Sequence, residues 1–274
     1  MEASLLHSDH RAELLELLRA EPDANLFLID ILSRDGVQET LAETWIGIGE
    51  PVIAGAIVLG RRAPDAPARL VVPFGDPDAG AHIGQRIRQD GPVSMIIGPR
   101  AASDGVWQGL AQPTPTVFFD QRLYVCTEVS AGARLPIRVA RIGDVPRLEP
   151  LAAEMMIEDL GVDPRIPDPD LHQRSVASRC SRGRTLLAER EGRICFQLNI
   201  GTFCKDGAQV GGTYVHPDFR RQGLSTSGMR AASEALLSLT RCVSLHVNEA
   251  NTPAVRCYER TGFVRAAPFR LIIK

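Results

Sequence analysis

The 274-residue sequence has no apolar run of about 18 residues or more, which is the length needed to cross a bilayer. Its N-terminus lacks the basic start, apolar centre and small-residue cleavage site of a secretory signal. It also lacks an excess of basic residues, because it has 31 Lys and Arg residues and 33 Asp and Glu residues. A nucleic-acid-binding surface normally shows such an excess. We therefore expect a cytoplasmic protein with neither a membrane segment nor a nucleic-acid partner.

The six cysteines include no CxxC pair, and none lies near a histidine at zinc-finger spacing. Scattered cysteines in a chain of this size are usually buried, reduced thiols. We therefore expect no metal site.

The composition is that of an ordinary globular protein, with 44% apolar and 23% charged residues. This is enough apolar material for a real core. The length suggests one large domain or two of moderate size.

The first half begins with two helical patterns, Arg11–Ala20 and Asn25–Arg34. Strands are predicted at Thr44–Gly49, Pro51–Leu59, Arg69–Phe74, Val93–Ile97 and Thr116–Glu128, with helices at Ala79–Gln89 and near Gly105–Ala111. The order is two helices, three strands, and then helix and strand in alternation.

A short segment rich in small residues, Ser130–Pro136, is typical of a linker. After it, strands are predicted at Ile137–Arg141, Arg184–Arg190, Arg193–Thr202, Ala208–Val215, Cys242–Val247 and Phe263–Ile273, and helices at 144–160, Asp170–Arg182, Leu224–Leu239 and Pro253–Arg260. The second half thus repeats the element order of the first. We predict two similar α/β units in tandem, with domains at 1–130 and 136–274.

A strand, a turn and a helix N-terminus follow one another between Val210 and Ser225. Pro217 ends the strand because proline cannot donate to a β-ladder, and an amphipathic helix starts at Leu224. The free N–H groups of a first helical turn and the helix dipole both favour an anion. Gly223 permits the backbone to approach a ligand closely. The segment therefore predicts an anion site.

Two cationic residues, Arg220 and Arg221, add charge suited to a diphosphate, and Ser225 is small enough to keep the site open. The pattern Arg-x-x-Gly-x-small is weak by itself, because it also describes a surface turn with solvated arginines.

A second motif lies downstream, in Asn251-Thr-Pro-Ala-Val-Arg-Cys-Tyr258-Glu-Arg-Thr-Gly-Phe263. Together with Arg220-x-x-Gly-x-Ser225, it resembles the two signatures of the GNAT superfamily of N-acetyltransferases, Q/R-x-x-G-x-G/A and N-x-x-A-x-x-x-Y-x-x-x-G-F. The element order from Ile137 to Lys274 is also similar to that family's. Ser225 departs from the usual Gly or Ala but remains small.

The resemblance implies an α/β fold (α+β mixed sheet) of tandem GNAT-like units, each a central mixed β-sheet flanked by helices. It also implies acetyl-CoA as co-substrate. The residues implied in coenzyme binding are Tyr214, Val215, Arg220, Arg221, Gln222, Gly223, Leu224, Ser225, Asn251 and Tyr258.

The first half resembles the diverged N-terminal unit of actinobacterial-type GNAT proteins through Asp23-Ala-Asn-Leu-Phe27. Where a coenzyme loop would follow its third strand, the sequence reads Gly75-Asp-Pro-Asp-Ala-Gly80. Acidic residues there oppose phosphate binding, so we expect no coenzyme site in the domain at 1–130.

The implied reaction is transfer of an acetyl group from acetyl-CoA to a primary amine of a small molecule, peptide or protein. The resemblance assigns Tyr258 as the acid that protonates the departing thiolate, and core packing on the helix is the alternative interpretation. Acceptor contacts are predicted at Glu158, Asp159 and His246. For the two carboxylates the alternative is a loop that is acidic for solubility, and for His246 a solvated or structural histidine.

Three alternatives remain open at this stage. The protein is a non-catalytic acyl-CoA-binding or regulatory module, or it uses a different acyl-CoA, or it is an aminoacyl-tRNA-dependent transferase of tandem build. The pyrophosphate loop and the absence of basic character disfavour the last. Monomer and homodimer are both compatible with the sequence.

Overall fold

The structure is a computed structural model that describes residues 2–38, 40, 42–60, 69–112 and 114–274. The strands are β1 (Ser4–Leu5), β2 (Glu43–Ile48), β3 (Ala54–Leu59), β4 (Leu70–Gly75), β5 (Met95–Pro99), β6 (Val117–Cys126), β7 (Arg138–Val139), β8 (Thr185–Arg190), β9 (Arg193–Cys204), β10 (Gly207–Val215), β11 (Val243–Asn248) and β12 (Val264–Ile273). The α-helices are α1 (Arg11–Ala20), α2 (Leu26–Asp35), α3 (Gly80–Arg88), α4 (Arg100–Leu110), α5 (Val145–Leu160), α6 (Pro169–Ser181), α7 (Leu224–Leu237) and α8 (Thr252–Thr261).

The chain divides into two compact units. The first comprises Met1–Leu123, His246–Asn251 and Arg265–Lys274, and the second comprises Tyr124–Leu245 and Thr252–Val264. The units therefore do not follow a single cut in the sequence. The domain boundaries 1–130 and 136–274 describe the repeat along the sequence, and they stay a prediction.

The first unit contains a mixed sheet. β1, β2, β3 and β4 pair antiparallel in succession. β4 then pairs in parallel with β5 through Leu70–Met95 and Val71–Ile96, and β5 pairs antiparallel with β12. Alternate strand residues face opposite sides of this sheet. Trp45 and Ile57 pack with α1 and α2, whereas Ile46 and Val58 pack with α3 and α4.

The second unit has the same arrangement. β7, β8, β9 and β10 pair antiparallel, and β10 pairs in parallel with β11 through Ala208–Val243 and Gln209–Ser244. Leu148 and Leu151 of α5 and Val176 of α6 pack on Leu187 and Tyr214 of the sheet. This packing holds α5 against the end of β10.

The chain order β1-α1-α2-β2-β3-β4-α3-β5-α4-β6 recurs as β7-α5-α6-β8-β9-β10-α7-β11-α8-β12. The predicted fold class, tandem α/β units with mixed sheets flanked by helices, is confirmed.

Most element boundaries differ from the sequence predictions by a few residues, and three differences are described here. α4 begins at Arg100, directly after β5, rather than near Gly105. β3 begins at Ala54 rather than at Pro51. The two-residue strand β1 pairs with β2, and it is too short for alternation to reveal.

Candidate functional site

The chain from β10 to α7 forms a strand, an exposed loop and a helix. β10 ends at Val215, a 3-10 turn covers Pro217–Phe219, and α7 begins at the buried Leu224. The intervening residues 220–223 are exposed. The layout expected of an anion-binding loop is therefore present and open to solvent.

The backbone of this loop is left-handed at two residues. Arg221 has φ 63° and Gly223, the N-cap of α7, has φ 72°. A Cβ placed on Gly223 would meet no atom within 4 Å. Because the N-cap has no side chain, nothing from Gly223 caps the first-turn amides of α7. These amides lack partners within the helix, so they are suited to an anion.

A further cation stands beside the loop. Arg190, the last residue of β8, donates from Nη1 to Gln222 Oε1 at 3.0 Å. Sequence reasoning missed Arg190, because only the pairing of β8, β9 and β10 brings it near a loop about thirty residues away. No spacing in the sequence signals that proximity.

The Arg220 side chain makes a different set of contacts. Its Nη2 lies 2.9 and 2.8 Å from the two carboxylate oxygens of Glu158, and its Nε donates to Val215 O at 3.1 Å. The guanidinium lies 5.0 Å from the centre of the Tyr214 ring, and Tyr214 Oη donates to Glu158 Oε1 at 2.5 Å. The carboxylate predicted to meet an acceptor amine thus lies against the coenzyme-loop arginine.

These contacts determine the protonation states of the cluster formed by Glu158, Tyr214 and Arg220. Burial opposes ionisation of Glu158, but hydrogen bonds from Tyr214 and Arg220 outweigh it and lower the pKa of Glu158. Burial, together with the hydrogen bond to Glu158, raises the pKa of Tyr214 well above its ordinary range. Around neutral pH the cluster therefore holds a carboxylate, a phenol and a guanidinium.

A β-bulge distorts β10 next to this cluster. Gly211 pairs with Asn199 and Tyr214 with Gln197, so Gly212 and Thr213 together lie opposite a single residue of β9, and β10 has one additional residue. Gly212 has φ 58°, which only glycine adopts readily. Among the described residues, the parallel ladder of β10 with β11 covers two residue pairs, both before the bulge.

Tyr258 of α8 is half-buried and hydrogen-bonded with Thr213 of the bulge. Its ring centre lies 6.0 Å from that of Phe263. Burial raises the pKa of Tyr258 above its ordinary range, so the phenol keeps its proton at neutral pH. The preceding Cys257 Sγ lies 3.0 Å from Ser225 Oγ. This contact joins α8 to the start of α7.

Asp159 is next to Glu158 at the end of α5. Burial and the neighbouring Glu158 carboxylate raise the pKa of Asp159. The Asp159 charge is also close enough to contribute to the raised pKa of Tyr258.

His246 and Asn251 belong to the first unit. His246 is half-buried and stacks on Phe269, with ring centres 4.2 Å apart. Burial lowers the pKa of His246 to about 4, so the imidazole is neutral at pH 7. Asn251 is exposed, and its N–H donates to Asn248 O at 2.9 Å directly before α8. The acceptor role of His246 and the coenzyme role of Asn251 stay predictions.

We expect His246→Leu to reduce the acid sensitivity of the fold. The pKa of a histidine in an unfolded chain is near 6.5. Between that pH and about pH 4, the unfolded chain therefore binds a proton at His246 and the folded chain does not. The free energy of unfolding of the wild type should therefore fall as the pH drops from about 6.5 towards 4, by roughly 1–3 kcal/mol. Urea unfolding at pH 7 and pH 5 measures this loss. His82→Leu, at an exposed position of α3, is the control, and an unchanged pH dependence in His246→Leu would refute the assignment.

The corresponding loop of the first unit is closed. The Asp76 side chain accepts from the Asp78 N–H at 3.0 Å. A Cβ on Gly80, the first residue of α3, would lie 3.0 Å from both Ala102 O and Gly105 Cα of α4. The Asp76 carboxylate thus accepts from a backbone N–H at this position, and α4 fills the space that is open at Gly223.

Within the part of the chain that the structure describes, no group of three or more His, Cys, Asp or Glu side chains could hold a metal ion. No helix among these residues is long and apolar enough to span a membrane.

Comparison with known proteins identifies the family of the segment that contains this loop. Residues 153–263 match the family model described as Acetyltransferase (GNAT) family. A search of curated proteins gives no match.

Several solved structures are similar over nearly the whole chain. They include a GNAT-family acetyltransferase from Colwellia psychrerythraea (13% identity, 100% of both chains, TM-score 0.59) and a GCN5-related N-acetyltransferase from Sphaerobacter thermophilus (18% identity, 99% of this chain and 94% of that chain, TM-score 0.62). A tandem GNAT protein from the clavulanic acid biosynthesis pathway is also similar (14% identity, 100% of this chain and 98% of that chain, TM-score 0.58). At these identities the likeness shows the fold alone. Residues 153–263 are therefore an acetyltransferase domain of the GNAT family, and the chain is an acyltransferase.

Proposed function

We propose that this protein transfers an acetyl group from acetyl-CoA to a primary amine. The observation that carries the proposal is the exposed, left-handed loop ending at Gly223, which opens the N-terminus of α7 to an anion. The Ser225–Cys257 contact links the start of that helix to α8, which carries Tyr258. An anion site and a protonated phenol thus belong to one continuous structure.

The coenzyme's diphosphate would bind the backbone amides of residues 221–225, with Arg221 and Arg190 supplying positive charge. The space at Gly223 is free of protein atoms, and a phosphate oxygen needs such space to reach an amide. Tyr214 and Val215 line the approach from β10. Arg220 contributes through its backbone, because its guanidinium is engaged by Glu158.

In the reaction, a neutral amine attacks the thioester carbonyl, an N–C bond forms, and the C–S bond breaks. The departing thiolate has an ordinary pKa of about 8.5 and needs a proton. Tyr258 is the acid that we assign to this step, because burial keeps its proton in place. The ammonium form of the acceptor must lose a proton before attack. Asp159, whose carboxyl pKa is raised by burial, is the carboxylate we propose to lie near that proton.

A thiol-release assay tests the proposal directly. Purified protein is mixed with acetyl-CoA and a panel of primary amines, and free CoA is measured, with propionyl-CoA and succinyl-CoA as alternative donors. We expect CoA release that depends on both acetyl-CoA and an amine. Tight acetyl-CoA binding without release over the whole panel would instead support a non-catalytic coenzyme-binding protein.

We expect Glu158→Gln to strengthen acetyl-CoA binding by about twofold to tenfold, the size of one partly exposed ion pair. Loss of the carboxylate frees the Arg220 guanidinium and removes a negative charge near the diphosphate. Calorimetry at low and high salt measures the change, which should shrink as salt screens the charges. Glu154→Gln, one turn earlier on α5 and exposed, is the control. Weaker binding in Glu158→Gln would contradict the assignment.

A further inference from the structure

The second unit contains a cavity of about 440 Å³ between α5, the connection 161–168 and α6. Its lining is mainly apolar and includes Met155, Met156, Val162 and Leu171. Pockets of a few hundred Å³ suit small molecules rather than folded polypeptide. The cavity therefore fits a compact ligand with an apolar body.

One end of this cavity adjoins the bulge of β10. Asn199 lines the cavity, and a side chain at Gly212 would collide with its amide nitrogen. The Met155 sulfur lies 3.3 Å from the same Cβ position. Thr213, the next residue of the bulge, is hydrogen-bonded with Tyr258. A ligand at this end would lie beside the residues assigned to the reaction.

Arg179 lines the cavity and has an unsatisfied nitrogen. Its Nη1 donates to Ser175 Oγ at 2.9 Å, but its buried Nε has no hydrogen-bond partner. Within the described part of the chain, no carboxylate lies within ion-pair distance of Arg179. Asp168 also lines the cavity, but its carboxylate accepts from the Leu171 N–H at 2.8 Å. A partly buried guanidinium with an unpaired donor and, among the described residues, no carboxylate beside it is suited to an anionic oxygen group.

The backbone places Arg179 at the same end as Asn199. Arg184 N–H donates to Arg179 O, and Ile200 N–H donates to Arg184 O, each at 2.8 Å. Two hydrogen bonds thus connect Arg179 with the residue that follows Asn199. The apolar part of the lining is not fully enclosed, because Leu171 is 58% exposed.

We propose that the acceptor is a hydrophobic α-amino acid, whose carboxylate binds Arg179 and whose apolar side chain fills the cavity between α5 and α6. Its amine, one carbon from the carboxylate, then lies at the bulge end beside Tyr258. The inference rests on the proposed acetyl transfer and specifies its acceptor. The products are the N-acetyl amino acid and free CoA. The amine loses one proton, and the departing thiolate gains one to become the CoA thiol.

The first experiment compares matched acceptors in the thiol-release assay. Methionine, leucine and phenylalanine should exceed glycine and serine in kcat/KM by roughly tenfold or more, because apolar side chains gain from burial. The corresponding primary amides, which have no carboxylate, should be poorer by roughly tenfold to a hundredfold, mainly in KM. Dipeptides with the same first residue should be poor for the same reason.

The second experiment uses Arg179→Gln and its neighbour Arg182→Gln. Arg182 is an exposed arginine at the end of the same helix. We expect Arg179→Gln to raise KM for methionine by roughly tenfold to a hundredfold while leaving KM for methioninamide nearly unchanged. Arg182→Gln should leave both values near those of the wild type. Thermal melting confirms that both variants fold, and the acid–amide comparison on the wild type does not depend on either.

Distinct results separate this inference from the proposed function. If acetyl-CoA binds and CoA is released with polyamines, lysine side chains or amides as readily as with hydrophobic amino acids, the acceptor assignment is wrong and acetyl transfer stands. If calorimetry finds no acetyl-CoA binding, acetyl transfer itself fails. Equal KM effects of Arg179→Gln on acid and amide would also overturn the carboxylate assignment.

Discussion

Tyr258→Phe is expected to lower kcat by about 10²- to 10⁴-fold, the usual contribution of a positioned general acid. The substitution removes one oxygen and keeps the ring that packs near Phe263. Acetyl-CoA affinity should therefore change by less than about threefold, because the loss concerns the transition state and not the bound coenzyme. Steady-state kinetics give kcat, and calorimetry gives the affinity.

The pH dependence adds a second test of the same residue. Burial raises the pKa of Tyr258 above the ordinary tyrosine range. The wild type should therefore keep its acid form through pH 9, and any alkaline loss of kcat below that pH must come from another group. In Tyr258→Phe the residual rate should rise when the acyl donor has a thiol of lower pKa, because that leaving group needs less protonation.

Tyr124→Phe is the matched control, because it too removes a tyrosine hydroxyl bonded within the second unit. Tyr124 is buried, and its Oη donates to Glu259 at 3.0 Å. We expect Tyr124→Phe to reduce stability by roughly 1 kcal/mol and to leave kcat near the wild-type value. If both variants lose kcat equally, or if Tyr258→Phe keeps the wild-type rate, the acid role is refuted.

Much of the fold follows from patterns that are local in the sequence. Leucines at helical spacing locate α1, alternation locates β11, and Pro217 marks the end of β10. The repeated order of elements predicts the tandem arrangement. The return of residues 265–274 to the first unit does not follow from these patterns, because strand partners far apart in sequence leave no local signal.

The site is predictable to the extent that its motifs are contiguous. Gly223 at the start of α7 fits a strand–turn–helix pattern that is weak by itself, and Tyr258 on α8 is assigned through the resemblance of its motif to the GNAT signature. The ion pair of Arg220 with Glu158 joins residues far apart in sequence, so charge and position predict each residue but not their contact. The Gly211–Gly212 pair did carry a signal, because glycine inside a strand indicates a bulge.

The two units show how one topology can keep or lose a binding loop. In the second unit the position before α7 is left-handed and open. In the first unit α3 packs closely on α4 at its glycines, and a side chain at Gly84 or Gly109 would collide with the facing backbone. The acidic cap at Asp76 adds negative charge where a diphosphate would need positive charge. We therefore infer that the first unit supports the fold without binding coenzyme, as its acidic loop sequence predicts.

This contrast makes Gly223 the position at which substitution should affect coenzyme binding most. Its φ of 72° disfavours any side chain, at a cost of roughly 1–2 kcal/mol. A Cβ atom there meets no protein atom within 4 Å, so a side chain would start into the space assigned to the diphosphate. Glutamate adds a negative charge against phosphate oxygens, which backbone strain alone would not do.

Gly223→Glu is therefore expected to weaken acetyl-CoA binding by at least about a hundredfold, since the combined loss exceeds roughly 2.7 kcal/mol. Calorimetric titration with acetyl-CoA measures it. Gly161→Glu is the control, because Gly161 at the end of α5 has φ 69° and equally open surroundings. It imposes the same strain and charge outside residues 220–223, so its coenzyme affinity should match the wild type. Unchanged affinity in Gly223→Glu would refute the assignment of the diphosphate to residues 221–225. Equal losses of affinity in both variants would show that the effect comes from folding.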